Sequence, residues 1–268
     1  MFLSTAQIDF LPFENGIYKT ENPGKTTFPS LFFYPNMART VYQASWEAML
    51  GIYDRKNFYK SGIGIVHELE KVGVVFDVTG IDNINKVDGP CLFISNHMSV
   101  METFMLSMFI CPYKELTYVV KESLLRYPVF KRIMFGIRAI AVGRENPKDD
   151  LLAVLKGGME ALAAGRSVVV FPQSTRSVHF DIKAFNTIGV KLAQRANVPV
   201  IPVALKTDAW GSGKYLKDYG KIDPDKKAYF AFGEPMVIRG KGAEEHKAVT
   251  DFIAGKLFLW SQRQPLLI

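Results

Sequence analysis

The chain has 268 residues, of which 48% are hydrophobic and 22% are charged, a composition that excludes a disordered protein and a coiled coil. Its 33 Lys and Arg residues exceed its 26 Asp and Glu residues, so the net charge of +7 favours an anionic partner: a phosphorylated substrate, an anionic lipid surface or nucleic acid. No stretch reaches the roughly 18 uninterrupted apolar residues of a membrane-spanning helix, and no Cys and His pattern predicts a metal site.

The N-terminal quarter of the chain differs from the rest. Residues 1–35 are rich in Phe and broken by Gly and Pro, which favours an extended arm packed on the domain over a segment that inserts its rings into lipid. Residues 36–70 lack Pro and space their apolar residues as a helix does, with an interruption predicted near residues 62–64. This amphipathic segment is predicted to contact a membrane surface. We therefore divide the chain into an N-terminal arm and helical segment, residues 1–70, and an α/β domain, residues 71–268.

From residue 71 onward, β-rich apolar runs alternate with amphipathic runs. This alternation predicts an α/β fold with a mixed, largely parallel sheet flanked by helices. In such a fold, functional residues lie in the loops that follow strands. The C-terminal helix is predicted to pack on the core. Strands are predicted at 74–78, 91–95, 116–120, 138–142, 167–171, 199–204 and 228–232, and helices at 99–110, 148–163, 185–195 and 243–262, with a shorter helical piece around Pro128.

The loop after strand 91–95 begins with Asn96 and His97. A neutral imidazole can accept a hydroxyl proton, and a carboxylate on its other nitrogen fixes its tautomer. His97 and Glu102 can meet only if His97 lies in the loop and Glu102 in the first helical turn, because five helical residues would separate them by about 140°. The same residues also fit a capping box, in which Glu102 accepts a bond from the backbone amide of Ser99. The local pattern leaves the catalytic pair and the capping box equally open.

The loop after strand 167–171 carries hydroxyl groups on both sides of Arg176. Hydroxyls and a guanidinium group suit a phosphate, through charge-assisted and bidentate bonds. The alternative is an ion pair between Arg176 and a carboxylate such as Asp181, with the hydroxyls bonded to turn amides. The loop on its own slightly favours this structural alternative.

Four blocks of sequence occur in order over roughly residues 85–235: Asn96 to Glu102, 136–144, 171–177 and 198–203. They resemble the blocks Asn-His-x-Ser-x-x-Asp/Glu, Gly-x-Ile-x-Val-x-Arg, Phe-Pro-Glu-Gly-Thr-Arg-Ser and Val-Pro-Ile-x-Pro-Val of the glycerolipid acyltransferases in the lysophosphatidic acid acyltransferase (PlsC-like) family. Four blocks in order are far more specific than any one of them.

The resemblance implies transfer of a fatty acyl group from acyl-CoA or acyl carrier protein, as co-substrate, to the hydroxyl of a lysophospholipid, by default lysophosphatidic acid. It implies no cofactor, no metal and a cytoplasmic enzyme peripheral to the inner face of the cell membrane. His97 would be the general base and Glu102 its orienting partner, while Arg144 and Arg176 would bind the acceptor phosphate. The implied substrate-binding residues are Asn96, Ser99, Arg144, Gln173, Ser174, Thr175 and Arg176.

Gln173 and Ser174 depart from the family pattern, which has Glu and Gly at these positions. The first change removes a charge and the second restricts the backbone, so another lysolipid or an amphiphilic alcohol is an alternative acceptor. A catalytically silent lipid-binding protein of the same fold is a second alternative, against which the intact His97, Glu102 and Arg176 argue. A nucleotide- or nucleic-acid-binding domain is disfavoured, because no glycine-rich phosphate loop follows a strand and the basic residues are scattered.

Overall fold

The N-terminal segment folds into two helices in the computed structural model, which describes residues 10–143, 146–173 and 175–263. Helix α1 spans Pro29–Met49 and helix α2 spans Arg55–Lys71. The chain turns between them at Gly51, whose φ of 72° suits glycine. Asp54 then caps α2 by accepting a 2.9 Å hydrogen bond from the amide of Asn57.

The predicted interruption near residues 62–64 is wrong, because these residues lie inside α2. Gly62 is needed there for packing and not for a break. A Cβ at this position would lie 2.4 Å from Oγ of Ser107, so the absent side chain lets α2 approach the helix that carries Ser107. The arm also ends earlier than predicted, since Pro29 occupies the first turn of α1, where a missing amide hydrogen is tolerated.

A mixed sheet forms the centre of the fold, and its described residues make eight strands in the order β1-β2-β8-β7-β3-β6-β4-β5. The pairs β1–β2 and β7–β8 are antiparallel and the other five are parallel, as the alternating pattern predicts. The strands are β1 Tyr18–Lys19, β2 Phe76–Thr79, β3 Leu92–Ser95, β4 Glu115–Lys121, β5 Ile140–Val142, β6 Arg166–Val170, β7 Val200–Lys206 and β8 Ala228–Phe232.

Helices cover both faces of this sheet, in agreement with the prediction. Pro128 begins a helix and does not lie within one, because its fixed φ suits a first turn. The remaining α-helices are α3 Met101–Ile110, α4 Pro128–Gly136, α5 Pro147–Ala163, α6 Ile188–Ala196 and α7 Ala243–Arg263. Short 3₁₀ helices span Glu14–Gly16, Ile81–Lys86, Glu122–Arg126 and Ile182–Ala184. None of the helices in the described ranges combines the length and apolar character needed to span a bilayer.

The sheet separates the hydrophobic core into two layers, and the central strand β3 contributes side chains to both. Phe93 faces a cluster built with α1, α2 and α3, whereas Leu92 and Ile94 face a cluster built with α5, α6 and α7. Phe33 of α1 and Tyr59 of α2 are buried in the first cluster, so residues 29–71 share their core with the α/β domain. On the other face, α7 packs through its buried side chains, as predicted for the C-terminal helix.

Candidate active site

His97 and Glu102 meet at the carboxyl end of β3. This strand pairs in parallel with β6 and β7, so the loops that follow three strands converge at one edge of the sheet. His97 lies in the loop and Glu102 in the first turn of α3, which is the arrangement that the spacing requires. Nδ1 of His97 lies 2.9 Å from Oε1 of Glu102. With Nδ1 engaged by the carboxylate, Nε2 is the ring nitrogen that carries the lone pair of a base.

The Glu102 carboxylate is completely buried and accepts hydrogen bonds on both oxygens. Oε1 accepts from the amides of Met98 and Ser99 at 2.6 and 2.9 Å, in addition to its contact with His97. Oε2 accepts from the hydroxyl of Thr207 at 2.6 Å. Burial raises the pKa of Glu102, but the hydrogen bond and charge of His97 and the Thr207 hydroxyl outweigh it, so this pKa lies below its ordinary value. The carboxylate is therefore an anion at neutral pH and can stabilise an imidazolium at His97.

Ser99 shows that capping and the His97–Glu102 pair coexist. Its backbone amide bonds to Glu102, as in the predicted capping box, and its hydroxyl accepts a 3.1 Å bond from the amide of Met101. Met101 is the first residue of α3, so the N-cap position is Val100 and not Ser99. The hydroxyl also contacts Oε2 of Glu102 and Oγ1 of Thr207, at 3.1 and 3.0 Å. The carboxylate of Glu102 thus binds the backbone amide just before α3 and also orients His97.

The loop after β6 holds His97 in place. Phe171 stacks on the imidazole with ring centroids 4.3 Å apart. The amide of His97 donates a 2.7 Å hydrogen bond to Oε1 of Gln173, and its carbonyl accepts a 2.9 Å bond from the amide of Ser177. Both backbone groups of His97 are therefore fixed, while its side chain keeps 12% of its surface exposed.

Arg176 makes an ion pair in this structure, with Asp218. The alternative that pairs Arg176 with a carboxylate is therefore confirmed in kind, but its suggested partner is wrong. Asp181 instead accepts a 2.9 Å bond from the amide of Lys183 and caps a short 3₁₀ helix. Arg176 precedes Ser177, whose amide bonds to the carbonyl of His97, so it belongs to the loop that contacts the His97 backbone.

The other predicted substrate-binding residues differ in their positions. Gln173 is buried and Thr175 is exposed. Asn96 is buried, and its amide group bonds twice to the backbone of Leu205 in β7, with both distances 2.8 Å. We infer that Asn96 and Ser99 position the loop, because neighbouring groups of the chain already occupy their polar atoms. Arg144 and Ser174 lie outside the described residues.

Two residues of this site escaped the sequence reasoning. Thr207 directly follows β7, so the same rule that singled out the loops after β3 and β6 could have found it. Asp218 lies 12 residues beyond the end of β7, in an irregular segment, and no local pattern marks it. Both contacts join residues that are far apart in the chain.

The comparisons with known proteins agree with one another. Residues 75–206 match the family model described as Acyltransferase. A 1-acyl-sn-glycerol-3-phosphate acyltransferase of Pseudomonas aeruginosa is 37% identical over 170 residues, which are 63% of this chain and 62% of that protein. The chloroplastic 1-acyl-sn-glycerol-3-phosphate acyltransferase BAT2 of Brassica napus is 29% identical over 140 residues, 52% of this chain and 38% of that protein.

A solved structure shares the fold. The crystal structure of the 1-acyl-sn-glycerophosphate acyltransferase PlsC from Thermotoga maritima superposes with a TM-score of 0.68 at 22% identity, covering 88% of this chain and 95% of that one. The chain spans less than two thirds of the length of the curated relatives named above. The resemblance seen in the sequence blocks is confirmed by the family match.

Proposed function

We propose that this chain, whose residues 75–206 match the family model described as Acyltransferase, transfers a fatty acyl group from a thioester to a hydroxyl group of a lysophospholipid. The observation that carries the proposal is the His97–Glu102 pair, built on a buried, ionised carboxylate at the carboxyl end of β3. Relatives named as 1-acyl-sn-glycerol-3-phosphate acyltransferases support lysophosphatidic acid as the default acceptor.

The mechanism follows from the proton positions. The lone pair on Nε2 of His97 takes the proton of the acceptor hydroxyl while the oxygen attacks the carbonyl carbon of the thioester. A C–O bond forms, and the carbonyl opens to a tetrahedral oxyanion. Collapse of that intermediate breaks the C–S bond, and the leaving thiolate takes the proton from the imidazolium. Glu102 remains ionised throughout and stabilises the imidazolium.

Each substrate has its own part in this proposal. Arg176 binds the phosphate of the acceptor, because a guanidinium group forms charge-assisted bonds with two phosphate oxygens. The thioester donor is acyl-CoA or acyl carrier protein, and the reaction needs no further cofactor. Thr175 is exposed beside Arg176, where its hydroxyl is available to the same headgroup.

Gln173 supports an active enzyme over a silent lipid-binding protein. The position calls for an oxygen that accepts the amide hydrogen of His97, and a glutamine provides this oxygen as well as a glutamate does. The departure from the family pattern therefore leaves the support of His97 intact. Gln173 in place of Glu removes one negative charge near the site. This change in charge affects which acceptor headgroup the site prefers.

The outer sides of α1 and α4, which we call the α1–α4 face, are proposed to contact the membrane. Exposed apolar side chains of α1 recur at helical spacing, and α4 adds exposed aromatic and basic ones. Such a face suits an anionic bilayer, in which an acceptor lipid resides. Its members are Leu31, Phe32, Tyr42, Trp46, Leu50, Tyr127, Lys131, Arg132 and Phe135.

The proposal includes a location on the cytoplasmic side of the cell membrane. Cys91 and Cys111 are buried as free thiols, which agrees with a reducing compartment. The net charge of +7 also favours attraction to the anionic inner leaflet.

A substrate panel tests the proposed function. Purified protein would be supplied with acyl-CoA or acyl carrier protein donors and with lysophosphatidic acid, other lysophospholipids or an amphiphilic alcohol, and acylated product would be measured. We expect product with a phosphorylated acceptor and none with His97→Ala. If folded, vesicle-bound wild-type protein forms no product with any pair, the silent lipid-binding protein is the better description.

A further inference from the structure

We propose that Asp218 is a specificity-determining residue for the acceptor headgroup, an inference that rests on the function proposed above. Its carboxylate forms an ion pair with Arg176, the residue to which that function assigns the acceptor phosphate. An incoming headgroup must therefore compete with a carboxylate that belongs to the chain itself. A headgroup with more negative charge than one carboxylate gains most from the exchange.

The position of Asp218 is fixed by the loop that connects β7 and β8. The buried indole of Trp210 donates a 3.1 Å hydrogen bond from Nε1 to the carbonyl of Asp218. Two residues further on, the carbonyl of Gly220 accepts a hydrogen bond from the hydroxyl of Tyr34 in α1. The backbone that carries the carboxylate is thus anchored at Asp218 itself and at Gly220.

The base of the same loop is closed as well. The amide of Gly211 donates a 3.0 Å bond to the carbonyl of Lys221, and the amide of Ile222 donates a 2.9 Å bond to Oγ of Ser30. The hydrogen bonds of this loop therefore fix the backbone of Asp218 and so hold its carboxylate near Arg176.

The contact between Asp218 and Arg176 is weak enough for an acceptor phosphate to displace the Asp218 carboxylate. The side chains of Asp218 and Arg176 are 46% and 26% exposed, although Oδ1, the oxygen in the contact, is itself covered, and the contact is an ion pair without an aligned hydrogen bond. Partly exposed pairs of this kind contribute little binding energy. A phosphate that accepts two aligned bonds from a guanidinium group binds more strongly than such a carboxylate.

The charge of the headgroup then decides the outcome. A phosphomonoester carries a charge of about −1.5 to −2 at neutral pH, whereas a phosphodiester carries about −1. Replacing the carboxylate with a monoester increases the negative charge at Arg176. Replacing it with a diester exchanges one negative charge for another and leaves Asp218 nearby to repel the headgroup. Asp218 therefore favours lysolipids with a terminal phosphate over lysolipids whose phosphate is esterified twice.

The test is the ratio of kcat/KM for lysophosphatidic acid to kcat/KM for lysophosphatidylglycerol, measured with one acyl donor and matched acyl chains. In Asp218→Asn, we expect this ratio to fall roughly two- to fivefold, the range of a partly exposed ion pair. The fall should come mainly from a lower KM for the diester. Asp225→Asn is the matched control, because it removes the same charge from an exposed turn before β8 and should leave the ratio unchanged.

Arg176→Ala completes a double-mutant cycle. The inference requires that Asp218→Asn has no further effect on the ratio once Arg176 is absent. An unchanged ratio in Asp218→Asn, with an active wild-type enzyme and native circular dichroism, overturns the role of Asp218 alone. An effect that persists without Arg176 overturns the ion-pair explanation. Absence of wild-type turnover with either acceptor overturns the proposed function and this inference with it.

Discussion

The hydroxyl of Thr207 donates a 2.6 Å hydrogen bond to Oε2 of Glu102, while Oε1 of the same carboxylate faces His97. Thr207 follows β7 and Glu102 lies in the first turn of α3, so this bond joins two elements that are distant in the sequence. The amide of Thr207 further contacts Sδ of Met98 at 3.2 Å. The orientation of the histidine therefore depends on the end of β7 as well as on its own loop.

Thr207→Val removes this hydrogen bond with little change in volume. This bond fixes the orientation of the carboxylate and, through it, that of His97, so the loss of orientation should lower kcat/KM roughly tenfold. Because the carboxylate loses a stabilising donor, its attraction for the imidazolium increases, and the acidic limb of the pH–rate profile should move to higher pH. Thr207→Ser keeps the hydroxyl and should restore most of the activity.

Thr250→Val provides the control for this experiment. Thr250 is also buried, but its hydroxyl bonds to the carbonyl of Lys247 within α7. The control should lose some stability and keep its pH–rate profile. A Thr207→Val enzyme with the wild-type rate and profile would show that the Thr207 bond has no part in orienting the pair.

Glu102→Gln tests the charge of the carboxylate through activity and stability. We expect kcat to fall by about 10²–10⁴, since the imidazolium loses its counter-charge. The pKa of Glu102 is depressed in the folded protein, so its charge stabilises the fold at neutral pH. This contribution is complete above the ordinary glutamate pKa of about 4.3, and it disappears as the pH falls through the lower folded value.

Chemical denaturation at a series of pH values checks this linkage. The free energy of unfolding should differ most between the wild type and Glu102→Gln near pH 7, and the gap should narrow below about pH 4.3. A gap that stays constant down to the acid transition would show that the folded protein does not depress the pKa of Glu102.

Asn96 is expected to act through the fold. Asn96→Ala removes two buried hydrogen bonds to Leu205 and should reduce the free energy of unfolding by about 2 kcal/mol or more. Asn83→Ala is the comparison, because Asn83 makes one 3.0 Å bond to the carbonyl of Phe232 and should cost about half as much. Urea denaturation measures both values. Full stability of Asn96→Ala, with a raised KM for acceptor, would favour a substrate contact instead.

The sequence predicts those parts of this site that depend on neighbouring residues. His97 and Glu102 are five positions apart, and this spacing sets the condition under which they meet: His97 in the loop and Glu102 in the first helical turn. Helix α3 begins at Met101 and satisfies this condition, although the local pattern leaves the pair and the capping box equally open. The strand ends also follow from local apolar runs. The contacts of Thr207 and Leu205 do not, because they depend on the order of strands in the sheet.

The helix break illustrates the same limit. A glycine often marks an interruption of a helix. Gly62 instead lies inside α2, where the missing side chain lets α2 pack closely against the helix that carries Ser107. The true break is at Gly51, three residues before Asp54 caps the next helix. Tertiary packing thus decides between glycines that look alike in the sequence.

Gln173→Glu restores the residue that the family pattern has at this position. The new side chain keeps the oxygen that accepts the amide hydrogen of His97, so we expect activity to be retained. Its negative charge stabilises the imidazolium, which should move the acidic limb of the pH–rate profile to higher pH. Gln173→Leu keeps the volume and removes the oxygen, and kcat should fall roughly tenfold. Equal rates in all three proteins would mean that the bond to His97 does not matter.

Membrane binding should depend on the exposed side of α1. Trp46→Ser combined with Leu50→Ser removes two exposed apolar side chains from the α1–α4 face and should weaken binding to phosphatidylglycerol vesicles at least tenfold. Phe258→Ser combined with Leu259→Ser is the matched control, because these residues are similarly exposed on α7, which packs on the opposite side of the sheet. Vesicle sedimentation with both variants measures the difference. Loss of binding in the α7 variant alone would place the membrane contact on the other face, since each variant replaces one aromatic residue and one leucine of similar exposure.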